Sequence, residues 1–248
     1  MGADPDVVAE LAPTSRLRAA INFGNPLLPA KDPNGEPRGI ALDLARELSR
    51  RLGVPVDIVG YDSPGKLADA VTSGAWDVGL IGAEPQRTQY IAFTAAYLEI
   101  EATYLVPPGS PLRTIADVDR AGVRIALLAR SAYDLYLSRN LKHARLVGES
   151  SFESTFQRFV SDKLDAIAGL RAQLTDDLAK LPGARLLDGR FTAVQQAVGT
   201  PRERTAGARY LREFVEDVKA TGLMARIIEQ NGVRGVSVAP PVSEAGGS

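Results

Sequence analysis

Cysteine is absent from the 248 residues, which excludes a disulfide framework and any thiolate site. The same absence fits an oxidising compartment. Histidine occurs once, as His143 in "LKHARLV", so a His-rich metal site is excluded and His143 is expected at a surface. An excess of basic charge is missing too. The 29 Lys and Arg stand against 30 Asp and Glu, which argues against nucleic acid as a partner. No run approaches the roughly 18 apolar residues of a membrane span, so direct membrane insertion is not expected. The opening "MGADPDVVAELAPTSR" lacks the basic start and apolar stretch of a secretory signal. Met1-Gly2 is read as a start that replaces a removed signal. The closing "VSVAPPVSEAGGS" is rich in Pro, Gly and Ser and reads as a flexible tail. Neither end is expected to join the fold.

What is present is a large apolar fraction, 45%, enough to build a core in one large domain or two lobes. Short β-branched runs alternate with amphipathic segments. "RAAINF" (18–23) reads as a strand, followed by a turn at Asn34-Gly35. In "IALDLARELSRRLG" the apolar positions Ile40, Leu44, Leu48 and Leu52 recur every four residues, which predicts a helix that Gly53 ends. "VDIVGY" is a strand. "SPGKLADAVTSG" is a helix capped by Ser63 and ended by Gly74. "DVGLIG" is nearly all apolar, as a strand buried on both faces of a parallel sheet would be. This alternation defines an α/β fold.

The pattern then restarts. "ATYLVPP" (102–108) is extended, and Thr114 opens a short helix. "VRIALL" (123–128) is a strand, and Ser131 with Asp134 predicts a capping box on the next helix. "ARLVG" (144–148) is a strand, and Ser150 with Glu153 predicts a second capping box on a helix with Phe152, Phe156, Phe159 and Leu164 on one face. "DAIAGL" (165–170) and "ARLLD" (184–188) are strands, and "AVQQAVGT" (193–200) is extended again. Thr200, Pro201 and Glu203 predict a helix start, with Gly222 as its stop. "LMARIIEQNG" reads as a final short helix. The simplest arrangement inserts lobe 2, residues 105–196, into lobe 1, residues 1–104 and 197–248, with the two extended segments as paired hinge strands. Trp76 is expected in the core.

Three stretches carry a resemblance: "KDPNGEPRGIALDLARELSRRLGV", "LADAVTSGAWDVGLIGAEPQRTQYIAFTAAYLE" and "TIADVDRAGVRIALLARSAYDLYL". Together they resemble the periplasmic solute-binding proteins of ABC importers, and within these the family that binds polar amino acids, extracellular solute-binding protein family 3. The likeness runs over residues 16–232. It implies a type II periplasmic-binding fold of two α/β lobes that close around one small solute and deliver it to a membrane permease. It implies a monomer in the periplasm, with no enzymatic activity, no cofactor and no metal.

The resemblance also implies site residues. Arg87 falls where the family pairs an arginine with the ligand's carboxylate, a bidentate role suited to a guanidinium. Ser131, opening a helix, supplies a hydroxyl and free N–H groups for an anion. Tyr133 lies two residues further on, and Tyr97, Tyr104 and Tyr136 are further aromatics within reach. Arg130 and Arg171, at strand ends, are either solvated or part of a cationic site. The chain also departs from the pattern. "GAEP" (Gly82, Ala83, Glu84, Pro85) replaces hydroxyls that normally touch the ligand. Asn25 and Pro64 stand where aromatics are common. Leu170 stands where the family has an Asp for the ligand's ammonium. Either Glu84 takes over that role, or the ligand is an organic acid without an ammonium.

Two other readings stay open. A dehydratase resembling cyclohexadienyl dehydratase would need an acid where this chain has Gln173, and an amide is not a general acid. The same lobes also occur as ligand-sensing domains of signalling proteins.

Overall fold

The computed structural model describes residues 3–25, 27–28, 30–31 and 37–242. The Asn34-Gly35 turn and the end of the C-terminal tail lie outside the described residues. The chain divides into two units. Unit 1 is Met1–Glu99 with Gln195–Ser248, and unit 2 is Ile100–Val194. The divisions fall at 99/100 and 194/195, a little before the expected 104/105 and 196/197.

Unit 1 begins with α1 (Pro5–Leu11) and β1 (Leu17–Asn22), then the two-residue strands β2 (Ala30–Lys31) and β3 (Pro37–Arg38). There follow α2 (Ile40–Leu52), β4 (Val56–Tyr61), α3 (Pro64–Asp69) and β5 (Val78–Gly82). β6 (Ile91–Val106) starts in unit 1 and ends in unit 2. Unit 2 continues with β7 (Arg124–Leu128), α4 (Ala132–Asn140), β8 (Arg145–Glu149), α5 (Phe152–Ser161), β9 (Ala166–Leu170), α6 (Arg171–Leu178) and β10 (Arg185–Leu186). β11 (Thr192–Pro201) returns the chain to unit 1, which ends with α7 (Thr205–Ala220), α8 (Leu223–Asn231) and β12 (Val236–Val238).

The sheet of unit 1 runs β4-β1-β5-β11-β6. β1, β4 and β5 are parallel, and β11 is antiparallel to β5. All five residues of β5 are buried, as its apolar run requires. In α2 the residues Ile40, Leu44, Leu48 and Leu52 are all buried, and Gly53 closes the helix at φ 72°. On one face of this sheet Ala20, Leu67, Val71, Trp76, Ile81 and Ile91 form a core. Trp76 is fully buried, and its indole N–H donates to the Leu67 carbonyl at 3.0 Å.

The sheet of unit 2 runs β6-β9-β7-β8, with β7, β8 and β9 parallel and β6 antiparallel to β9. Its core joins Leu105, Ala126, Phe159, Leu164, Ile167 and Leu174. All three parallel strands end at the same pole, followed directly by the helix starts at Ser131, Ser151 and Leu170. Residues just after strand ends are the usual place for ligand contacts in parallel sheets.

Several expectations are corrected. The N-terminal segment does join the fold. Asp4 caps α1, and Leu11 is fully buried against α7 at Gly207. A Cβ on Gly207 would stand 2.7 Å from a Leu11 methyl, so any larger residue here would force Leu11 to shift. The tail joins the fold as well: β12 pairs with β6, and Ala239 N–H donates to the Tyr97 carbonyl. β6 also begins much earlier than the extended segment read at 102–108. The second capping box is built by Ser151 and Ser154, one residue after the expected Ser150. Ser131 caps α4, but the reciprocal half is missing, because Asp134 accepts from Arg130 N–H instead. The Thr200-Pro201-Glu203 start fails: β11 runs through Pro201, Thr200 donates to the Asp77 carbonyl at 2.9 Å, and α7 starts only at Thr205.

Candidate functional site

In unit 1 the candidate residues gather around the C-terminal end of β5. Gly82 ends the strand, and Gln196 of β11 is its partner in the antiparallel pair. Ala83 N–H donates to the Gln195 carbonyl. Glu84 then leads into a 3₁₀ turn, Pro85–Arg87, in which Arg87 N–H donates back to the Glu84 carbonyl at 2.9 Å. Pro85 suits the first position of such a turn, because it has no N–H to leave unpaired. The turn folds the Arg87 side chain back over the strand end. Its Nη1 donates to the Gly82 carbonyl at 2.6 Å, and the residue is only 7% exposed. Glu84 is 9% exposed. Both of the loop's ionisable residues are therefore withdrawn from bulk water, which is not the arrangement of a solvated surface charge.

Asn25 is also buried, but its side chain has a local task. Its Oδ1 accepts from Leu27 N–H at 3.1 Å, which pins the loop after β1. Gly24 before it is forced by space: a Cβ there would lie 2.2 Å from the Asp62 carbonyl oxygen.

In unit 2 the candidates follow β7 and β9. Ser131 is buried, and its Oγ accepts from Asp134 N–H at 3.1 Å, a cap at the start of α4. Arg130 is exposed and sits at φ 60°, the left-handed region. Asp134 Oδ2 accepts from its backbone N–H at 2.6 Å and holds the turn in that conformation. Leu170 is buried at the end of β9, opposite Ala102 of β6, and presents no polar atom. Arg171 donates through Nε to Glu101 Oε2 at 2.8 Å and through Nη2 to the Gly189 carbonyl, both inside unit 2. These two bonds hold its guanidinium as a brace within the unit.

Three of the tyrosines are buried. Tyr97, Tyr104 and Tyr133 are at most 3% exposed. Burial pushes all three phenols well above the ordinary tyrosine range. Tyr104 packs against Phe191 with ring centroids 4.6 Å apart. They are core residues that carry polar tips. His143 is exposed, and its backbone N–H donates to Asp119. Among the described residues no group of His, Asp and Glu could hold a metal ion, and no helix is long and apolar enough to cross a membrane.

Unit 2 also holds an apolar cavity of ~270 Å³ beside Pro107, Pro108, Leu112, Phe159, Leu164 and Leu181. It lies where β7 and β9 begin, at the opposite pole from Ser131 and Leu170. None of the candidate residues lines it.

Sequence reasoning missed Gln196, a buried amide directly across from Gly82. The signal was present in the sequence: a pair of glutamines, Gln195-Gln196, inside an otherwise apolar strand.

The strand orders and helix placements are those of the type II periplasmic-binding fold. A mutant of ArgBP from T. maritima superposes with a TM-score of 0.74 at 22% identity, covering 91% of this chain and 99% of that one. A solute receptor for L-cysteine of Neisseria gonorrhoeae superposes with a TM-score of 0.76 at 18% identity, covering 92% and 95%. Residues 17–233 match the family described as bacterial extracellular solute-binding proteins, family 3, and the chain belongs to that family. Among curated proteins, it is 24% identical over 203 residues to cyclohexadienyl dehydratase of Pseudomonas aeruginosa, which covers 77% of this chain and 73% of that protein.

Proposed function

We propose that the chain is an extracytoplasmic receptor that binds a small carboxylate-bearing solute, an amino acid or related organic acid, and hands it to the permease of an ABC importer. The observation that carries this reading is Arg87. A 3₁₀ turn folds it over the end of a buried parallel strand, with one amino group fixed on the Gly82 carbonyl and the residue 7% exposed. A guanidinium held in this way is oriented before any anion arrives. Pre-orientation reduces the ordering cost of binding. Low exposure strengthens the charge-assisted hydrogen bonds it can form. Ser131 and the start of α4 are the corresponding anion-seeking donors of unit 2. Membership in an extracellular solute-binding family supports a periplasmic location and a transport role.

A thermal-shift screen of amino acids and small organic acids tests the reading, since a ligand of the folded state raises the melting temperature by mass action. Small-angle scattering with the best hit tests the closing motion, which should reduce the radius of gyration.

A second reading, a dehydratase, is favoured by the likeness to cyclohexadienyl dehydratase. Against it stands Gln173 in α6, whose amide cannot donate a proton as a general acid. Turnover of a cyclohexadienyl acid by the purified chain would decide for that reading.

A further inference from the structure

The apolar cavity of unit 2 is not used by the proposed solute site. It measures ~270 Å³ and lies at the pole where β7 and β9 begin. Its inner lining is buried: Leu112, Phe159 and Leu164 are at most 4% exposed. Val160 lines it too and is 44% exposed, so the cavity opens to solvent. Another wall is the loop after β6, stiffened by Pro107, Pro108 and Pro111. Arg185 Nη2 fixes this loop by donating to the carbonyls of Ser110 and Leu112, at 3.1 and 2.7 Å. The cavity is therefore formed before any ligand arrives, which reduces the ordering cost of binding. An apolar cavity of ~150 Å³ takes a benzene ring. One of ~270 Å³ has room for two fused rings.

The charges at the rim leave positive charge unanswered. Asp165 lines the cavity, but its Oδ2 accepts from the Arg124 backbone N–H at 2.8 Å and from Arg124 Nε at 3.4 Å. Asp162 is taken by Arg158 at 2.7 Å. Lys163 also lines the cavity. Among the described residues no carboxylate pairs with the Lys163 ammonium or with the Arg185 guanidinium. Lys163 moreover stands where a lysine is strained. α5 ends in a Schellman turn, in which Leu164 N–H donates to the Phe159 carbonyl at 3.0 Å and Lys163 N–H to the Val160 carbonyl at 3.3 Å. This turn puts Lys163 at φ 49°, a position that glycine usually fills. Residues held in such conformations cluster at ligand-binding sites.

We propose that this cavity is a second ligand site, which takes a small aromatic or alicyclic carboxylate. The ring fills the apolar interior, and the Lys163 ammonium meets the carboxylate at the mouth. The proposal does not rest on the solute-binding reading, because none of Glu84, Arg87 and Ser131 lines the cavity. A cationic ring compound is turned away, since Lys163 and Arg185 both repel it. A neutral one keeps the apolar contact and loses the ion pair.

The experiment is calorimetry with probes that share one ring system and differ in charge: indole-3-acetate, indole-3-acetamide and tryptamine. The chains are the wild type, Lys163→Gly and Val160→Trp. The wild type should bind the acetate about 5-fold more tightly than the amide, as one partly exposed ion pair allows, and tryptamine most weakly. Lys163→Gly should make the acetate and the amide equal. It should not lower the melting temperature, because glycine suits the left-handed position. Val160→Trp puts a large side chain at the mouth and should abolish binding of both. Backbone amide NMR of the wild type with the acetate should show shifts gathered at Leu112, Val160 and Leu164. Absence of binding to the wild type at millimolar probe overturns the proposal. So does a preference for the acetate that Lys163→Gly leaves unchanged, and so do shifts confined to the loop from Gly82 to Arg87.

Discussion

Arg171 Nε donates to Glu101 Oε2 at 2.8 Å, a bond between the start of α6 and the middle of β6. The two side chains are 28% and 45% exposed. Pairs this open contribute little, about 0–1 kcal/mol. Arg171→Ala should therefore lower stability by less than about 1 kcal/mol in urea melts. It should leave solute affinity unchanged by calorimetry. A loss of affinity like that of an Arg87 variant would make Arg171 a ligand residue after all.

Arg87→Ala should weaken binding of the best screened solute by about 2–5 kcal/mol, the usual penalty for stripping one partner from a buried charge pair. Arg87→Lys should also weaken it clearly, because a point charge replaces the planar fork. If both variants bind as the wild type does, the anchor lies elsewhere.

Glu84→Gln separates the two solute classes. With an amino acid as ligand the change should weaken binding, since it removes a negative charge that attracts the ammonium. With a plain organic acid it should be neutral or helpful, since it removes a negative charge near an anion. Calorimetry with both classes reads the sign.

Asp77, with no exposed surface, accepts from the Arg18 backbone N–H at 3.0 Å, from Arg18 Nε and Nη2 at 2.9 and 2.7 Å, and from Arg204 Nη1 at 2.7 Å. It ties the start of β1 to the segment before α7. Asp77→Asn leaves two guanidinium groups without their shared anion. It should cost roughly 3 kcal/mol, at the low end for a broken buried pair because both arginines keep some solvent contact. Chemical denaturation checks this.

Acid should unfold the protein in a window set by the same kind of group. Burial pushes the Asp77 carboxyl up, but the bonds from Arg18 and Arg204 outweigh it and hold the group below the usual carboxylate range. The Arg50 guanidinium, aided by Arg51 against some burial, lowers Glu47 to about 2. Both folded values are depressed, so below an ordinary carboxylate value the unfolded chain takes up protons first. The stability these groups contribute is fully present above about pH 4–5 and is lost as pH falls toward 2. The melting temperature should be flat across neutral pH and drop steeply in that acid window. Asp77→Asn should make the drop shallower.

The legible parts of this chain were those in which local chemistry and tertiary packing agree. The four-residue spacing in α2, Ser63 before α3, and the unbroken apolar run of β5 each read correctly from a few neighbours. The first half of β6 did not, because its buried positions follow no period of two. α1 is only seven residues long, and its stability comes from Leu11 meeting Gly207 across the sequence. Thr200 has the chemistry of a helix start, yet its hydroxyl is taken by the Asp77 carbonyl 123 residues away. Among the candidate residues, Arg87 could be placed from the resemblance. The role of Arg171 could not, since Glu101 lies 70 residues earlier. Gln196 was passed over because its meaning depends on standing opposite Gly82.

The division of the chain also orders its biosynthesis. Unit 2 is one uninterrupted segment, Ile100–Val194, so all its partners have left the ribosome before unit 1 is complete. Unit 1 needs β11, α7, α8 and β12, which emerge last, and β5 has no β11 beside it until then. Until that moment β5, the most apolar strand of unit 1, has an open edge able to pair with other chains. Closing so long a loop is slow, because its entropy must be lost before the distant contacts form. The segment that follows unit 2 thus seals the strand edge left open by the segment that precedes it.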